Sequence, residues 1–225
     1  MAEEKIQNHG EISLAHYGVL FLDELPEFNK TTLEVLRGPL EDRVVTISRL
    51  NASITYPCNF MLIASMNPCP CGYYGSDEKE CCCRPEQIKK YQNKISGPLL
   101  DRIDIHIEVK GVKYNKLQSD EKIETSNEIR KRVNNARKKQ IDRYREYNIY
   151  SNAELTPQLL EKFCKLDESC QNILKLAFEK LGLSARAYGR ILKVSMKIAD
   201  LDGAENIEQK HLAEAIQYRA LDRKI

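Results

Sequence analysis

Short aliphatic runs fill the first part of the chain, and longer stretches of helically spaced apolar positions fill the last part. Gly18-Val19-Leu20-Phe21-Leu22 is a compact apolar run of the kind buried on both faces of a parallel sheet. Phe60-Met61-Leu62-Ile63-Ala64 is a second such run, and Ile103 to Val109 a third, more polar one. Between the first two, Thr31 to Leu36 reads as helix, while Val44 to Ile47 and Ala52 to Tyr56 read as β-branched hairpin arms. From about Lys113 to Tyr150 the pattern turns polar and basic, with helical propensity but no strong apolar period. After Ser151 it changes again. Thr156-Pro157 followed by Leu159, Leu160, Phe163 and Leu166 marks a helix start. Further helical segments are predicted near Glu168–Leu181, Ala185–Leu201 and Ile207–Arg219, punctuated by Gly182 and Gly203. The expected fold class is α/β plus all-α. Residues 1–112 form a partial parallel sheet with a hairpin insertion, 113–150 a basic helical linker, and 151–225 a helical bundle.

Two of the apolar runs end in polar groups with chemical uses. The first delivers Asp23 and Glu24, the arrangement of a Walker B strand. Ligands of open parallel sheets bind at such strand ends. One carboxylate there can hold Mg²⁺ through its water shell, and the other can polarise a water attacking a terminal phosphate. Taken alone, the pair is equally a strand running into a solvated acidic turn. The second run ends at Asn67, which can orient a water without adding charge. Alone, an Asn before Pro68 is a turn residue.

Composition narrows the class. A chain of 225 residues, 42% hydrophobic and with a formal charge of +2, is ordinary for a soluble protein. Its longest fully apolar run, Phe60 to Ala64, falls far short of the ~20 residues of a membrane helix. Met1 to Lys5 lacks the apolar stretch of a signal peptide. The expectation is a cytoplasmic protein with no membrane partner. Balanced charge means that nucleic-acid contacts must come from local patches. Two such patches stand out. Arg130-Lys131-Arg132, Arg137-Lys138-Lys139, Arg143 and Arg145 could follow a phosphate backbone, with Tyr144 and Tyr147 for stacking; the alternative is a solvated connecting helix. Arg43 and Arg49 flank the first hairpin arm, where their charge limits edge pairing.

Of eight cysteines, Cys69, Cys71, Cys81, Cys82 and Cys83 crowd one segment, 68–85. In a reducing cytosol this points to metal or redox chemistry more than to disulfides. Cys69-x-Cys71, nine residues, then Cys81-x-Cys83 gives four thiols suited to a closed, structural tetrahedral zinc, with Cys82 as the spare. Free or redox-active thiols are the alternative.

The motifs also come in a recognisable order. Gly10 to His16, the Asp23-Glu24 strand, Pro39-Leu40-Glu41-Asp42 and Val45-Thr46-Ile47-Ser48-Arg49 lead to Asn67-Pro68-Cys69-Pro70-Cys71-Gly72 and then Ser96-Gly97-Pro98-Leu99-Leu100-Asp101-Arg102-Ile103-Asp104. This resembles the magnesium-chelatase-like AAA+ ATPases, in their bacterial competence-protein branch, from about Gly10 to the C-terminus. The resemblance implies that Asp23 and Glu24 are the Walker B pair, Asn67 is sensor 1, and Arg102 is an arginine finger for a neighbouring subunit. From spacing alone, Arg102 reads as a surface partner of Asp101 or Asp104. Leu183 to Leu192 resembles the sensor-2 helix of the lid, with Arg186 reaching the phosphates in cis and Arg190 as a second candidate. Similarity to ring motors whose hairpin projects toward a central pore implies DNA contact by Arg43 and Arg49 instead of a role in limiting edge pairing. The family's activity would be ATP- and Mg²⁺-dependent DNA remodelling by a hexameric ring, of the branch-migrating helicase type. A chelatase subunit and a non-enzymatic zinc-bearing assembly module are the rival readings.

One part of such an ATPase is absent from these residues. No glycine is followed by lysine, so no phosphate-cradling G-x-x-x-x-G-K-[ST] loop is present. In the implied sheet, the strand feeding that loop lies between the sensor-1 and arginine-finger strands. The finger strand is therefore expected to lack its partner. The chain reads as a C-terminal portion of a longer protein, or a truncated gene product, that cannot by itself bind or hydrolyse ATP tightly, and its partner would be an N-terminal half carrying the loop.

Overall fold

The computed structural model describes residues 10–49, 52–77, 79–111 and 124–219, so the start of the expected linker lies outside the described residues. Two compact units divide the chain, Met1–Ile103 and Asp104–Lys224.

In the first unit, a single-turn helix α1 (Glu11–Leu14) precedes β1 (Val19–Leu22). After β1 come α2 (Lys30–Val35), α3 (Arg37–Asp42) and the hairpin β2 (Val44–Arg49) and β3 (Ala52–Pro57). Then follow β4 (Met61–Ala64), α4 (Pro85–Gln92) and α5 (Gly97–Leu100). Strands β1 and β4 pair in parallel, from Val19↔Met61 to Leu22↔Ala64. Parallel neighbours need a long connection, supplied here by α2, α3 and the hairpin. Asn29 starts α2 by accepting the Thr32 N–H at 2.8 Å. The hairpin is antiparallel, and the hydroxyls of Thr46 and Thr55 meet across it at 2.9 Å. Leu25, Leu33, Leu36, Tyr91, Ile95, Leu99 and Leu100 are buried in this unit.

Two expectations are corrected here. The β1–β4 sheet is not buried on both faces: Phe21 is 59% and Met61 60% exposed, and Val19 and Ile63 are exposed with them. Alternation puts these four on one face. A parallel sheet is covered on both sides only when helices lie over each face. Among the described residues, nothing covers this one. The third apolar run forms no strand. Ile105, Ile107 and Val109 are exposed, and the His106 N–H donates instead to the Tyr218 carbonyl at 2.8 Å. A strand persists only where a neighbour takes its backbone groups. No described strand pairs with this segment.

The second unit is helical: α6 (Ser126–Arg143), α7 (Pro157–Phe163), α8 (Glu168–Leu181), α9 (Ala185–Asp202) and α10 (Gln209–Gln217). Local chemistry sets its boundaries. Thr125 and Glu128 close a capping box, and Thr156, Asp167 and Ser184 cap α7, α8 and α9. Gly182 and Gly203 end α8 and α9 at φ 61° and 80°, left-handed positions that glycine adopts without steric cost. The core gathers Leu160, Leu174, Ile191, Leu192, Met196 and Leu212, with Leu183, Val194 and Ile198 packed against it. A buried polar chain threads this core. The Asp200 side chain, 0% exposed, accepts from Arg143 and from Asn152 Nδ2 at 2.9 Å, and Tyr144 OH donates to Asn152 at 2.7 Å. Among the described residues, no helix is long and apolar enough to cross a membrane.

Candidate functional site

The in-register pairing of β1 and β4 brings two polar segments to one end of the sheet. Asp23-Glu24 directly follows β1, and Ser65 to Asn67 directly follows β4. The ladder continues past both strands, because the Ser65 N–H donates to the Leu22 carbonyl at 3.0 Å and the Leu25 N–H to the Ser65 carbonyl at 2.8 Å. The Ser65 hydroxyl donates to Asp23 Oδ1, which also accepts the Glu24 N–H at 3.1 Å. Glu24 sits at φ 51°, a left-handed conformation that costs a non-glycine residue about 1–2 kcal/mol. Both carboxylates and the Asn67 side chain are exposed. Helix α4 holds the Asn67-Pro68 segment from beneath. Gln92 Nε2 donates to the Pro68 carbonyl at 3.0 Å. Burial, then Glu27, pushes the Tyr91 hydroxyl above its ordinary pKa, against the opposing pull of the Asn67 backbone N–H bonded to it.

Of the three arginines, two make ion pairs within their own unit. Arg102 is not an exposed surface residue. Its guanidinium, with a side chain 7% exposed, binds Glu41, the Pro98 carbonyl at 2.8 Å and the Arg37 carbonyl at 3.1 Å. Arg190 pairs with Asp104. Arg186 lies in the first turn of α9, exposed on its surface.

The four expected thiols form one cluster. Cys69 Sγ lies 3.4 Å from Cys71 Sγ and 3.7 Å from Cys81 Sγ, with Cys71 and Cys81 at 3.6 Å. All four sulfurs, including that of Cys83, lie within 4.8 Å of one another. Tetrahedral zinc with Zn–S bonds of about 2.3 Å has S···S edges near ~3.8 Å, so the donor set fits a metal of that size. Gly72 and Gly75 turn the loop at φ 83° and 80°. The Tyr73 backbone N–H lowers Cys71 to about 5, whereas burial, followed by its bonds to Cys71 and Cys69, pushes Cys83 up to about 12. Cys82 is exposed and outside the cluster.

The basic residues scatter in their roles. Arg130 and Arg137 are exposed on α6. Arg143 is absorbed by Asp200, and Tyr144 is fully buried, so neither is free for stacking or phosphate contact as the sequence suggested. The cause is their position at the end of α6, where it joins the core of the helical unit. Tyr147 lies edge-on to Phe163 and accepts from Lys162. Arg43 ends α3 at φ 58°, its carbonyl accepting the Cys58 N–H at 2.8 Å. The Arg49 side chain lies outside the described residues.

The profile of the magnesium chelatase subunit ChlI family matches residues 2–117. The chain belongs to this family. The profile of the ChlI C-terminal part matches residues 123–219. Among curated proteins, the chain is 48% identical over 219 residues to the competence protein ComM of Haemophilus influenzae, covering 97% of this chain and 42% of that protein. It is 43% identical to the uncharacterized protein YifB of Escherichia coli, over 97% of this chain and 42% of that one. It is 34% identical to the uncharacterized protein Rv2897c of Mycobacterium tuberculosis, over 93% of this chain and 41% of that one. The chain thus spans about two fifths of the length of these relatives.

Two residues of this ChlI-family chain that sequence reasoning passed over bear on the site. Ser65 stands one position beyond β4, level with Asp23 one position beyond β1; the parallel register would have found it. Glu41 lies 61 residues from Arg102, and no local pattern joins them.

Proposed function

We propose that this chain is the C-terminal portion of a hexameric AAA+ ATPase that couples ATP hydrolysis to DNA remodelling of the branch-migration type. The observation that carries this reading is the register of β1 and β4, which sets Asp23-Glu24 and Ser65 to Asn67 side by side at one sheet end. The 48% identity to a protein named for competence supports the choice of this branch of the family.

In this reading Asp23 takes the water shell of Mg²⁺, and the Ser65 hydroxyl fixes which way its carboxylate faces. Glu24 polarises the attacking water and Asn67 orients it. Arg186 meets the phosphates in cis, with Arg190 as a second contact once it leaves Asp104. Arg102 serves the next subunit, exchanging Glu41 for the terminal phosphate of the neighbour's nucleotide. Bound ATP and Mg²⁺ supply the reactive phosphoryl group and its charge neutralisation. The four thiols hold a structural Zn²⁺ that shapes the loop after Asn67. Arg43, Arg49, Arg130 and Arg137 are the DNA contacts of this reading. The family's chelatase name favours a second reading, a subunit that drives Mg²⁺ insertion into a tetrapyrrole.

The test is reconstitution. The chain is combined with a segment carrying the phosphate loop of a full-length relative, and DNA-stimulated ATP hydrolysis is measured. Hydrolysis that Asp23→Asn, Asn67→Ala or Arg102→Ala each reduces at least ~100-fold is expected. Turnover insensitive to all three substitutions, or stimulated by a tetrapyrrole and not by DNA, would sink the reading.

A further inference from the structure

A cleft of about 750 Å³ lies within the first unit, between the approach to α2 and the last turn of α4. Its cations come from both walls: Lys30 from one side, and Lys89, Lys90 and Lys94 from the other. Only two carboxylates, Glu27 and Glu86, share the lining. Lys94 pairs loosely with Glu27 at 3.4 Å, and among the described residues Lys30, Lys89 and Lys90 make no ion pair. Phe28, 37% exposed, stands in the same lining. On a chain whose overall charge is only +2, this is a local concentration of mobile ammonium groups beside an exposed aromatic ring.

We propose that this cleft is a subsite for the phosphodiester backbone of single-stranded nucleic acid, with Phe28 stacking on a base. The inference rests on the DNA-remodelling reading and assigns it a contact surface separate from α6 and the hairpin. The chemistry favours a strand over a free anion. A small phosphate ligand is held in an enclosed pocket by convergent backbone N–H groups or a bidentate arginine fork. Here the cations are lysines distributed along an open cleft, point charges on flexible stems that follow a repeating phosphate chain without demanding one geometry. Lys89 and Lys90 lie in the last turn of α4 and Lys94 two residues past its end, so the cations are spread along the cleft wall and successive phosphates can each find a partner. An aromatic face beside the charge adds sequence-tolerant stacking.

The experiment is fluorescence anisotropy of a labelled ~20-nucleotide oligothymidylate titrated with the chain between about 50 and 200 mM salt. Lys89→Gln with Lys90→Gln is expected to weaken binding ~10-fold or more at low salt. It should also flatten the slope of log K against log salt by about 1.4, the signature of two lost phosphate contacts. Phe28→Ala should weaken binding about tenfold with the slope unchanged. Both lysines are exposed, and far-UV circular dichroism verifies that the variant keeps its fold. Wild-type affinity and slope in the lysine variant would overturn the proposal, as would displacement of the oligonucleotide by inorganic triphosphate at equal phosphate concentration. Arg130→Gln with Arg137→Gln separates the two readings. Loss there, with the lysine variant unaffected, removes the cleft but keeps DNA as the ligand. Absence of binding by the wild-type chain removes the cleft while leaving the ATPase reconstitution as the independent measure of the broader function.

Discussion

The two units solve the same burial problem with different reach. In the helical unit, α7 to α10 close over one another, and even the charged pair Arg143–Asp200 is enclosed by residues of that unit. In the α/β unit, the two-stranded sheet leaves Val19, Phe21, Met61 and Ile63 uncovered among the described residues. The helical unit closes its core within itself, with α9 packed against α6, α7 and α10. The α/β unit rests on long-range strand pairing and brings four thiols together across a loop. A helical core closed on all sides is self-sufficient; a parallel sheet of two strands presents apolar surface that further layers would cover.

The comparison can be broken by perturbing each unit in turn. Metal removal should act on the α/β unit alone. Structural zinc contributes about 10 kcal/mol in small domains, so a strong chelator should abolish the transition of the α/β unit in calorimetry and leave the helical one in place. An unchanged thermogram after complete zinc loss would contradict a structural role for the cluster. Asp200→Ala should do the reverse, costing the helical unit about 3–5 kcal/mol by stranding Arg143 and Asn152 without their shared partner. Ser184→Ala removes the side-chain acceptor for the Ala187 N–H at the start of α9, a loss of about 1 kcal/mol measurable by urea denaturation. Phe21→Ser should change stability by less than about 0.5 kcal/mol, because the ring has little burial to lose; a large loss would mean the sheet face is covered.

The smallest expected effect is one of pH. The Cys170 backbone N–H, followed by the Ser169 hydroxyl, lowers the Asp167 carboxyl below its ordinary range at the start of α8. A group with a depressed folded-state pKa stabilises the fold above its unfolded value, near ~3.9, and that contribution fades as pH falls through the folded value. The acid limb of the helical transition should shift upward in Asp167→Asn, while the limb above about pH 5 keeps its shape.

Legibility in the sequence followed the same division. Helix starts at Thr156-Pro157 and Ser184 and stops at Gly182 and Gly203 were readable because caps and apolar spacing are local signals. The hairpin arms and the two in-register strands were also readable, from β-branched runs and aliphatic blocks. The four thiols were recognisable by spacing, and they meet. What could not be read was the outcome of competition between distant groups. Ile103 to Val109 has a strand's composition but no described strand to pair with it. Tyr144 and Arg143 look like members of a basic surface until Asn152 and Asp200 claim them. Arg102 sits beside two aspartates in sequence and yet binds Glu41.

That last contact changes what substitution at position 41 would mean. A guanidinium seated on a carboxylate and two backbone carbonyls has committed much of its donor fork, so where a second anion displaces the first the net gain is the difference between two strong pairs. Weakening the incumbent with Glu41→Gln would therefore sharpen the response to any incoming negative charge, and the side chain of one acidic residue would set how readily the arginine is lent out.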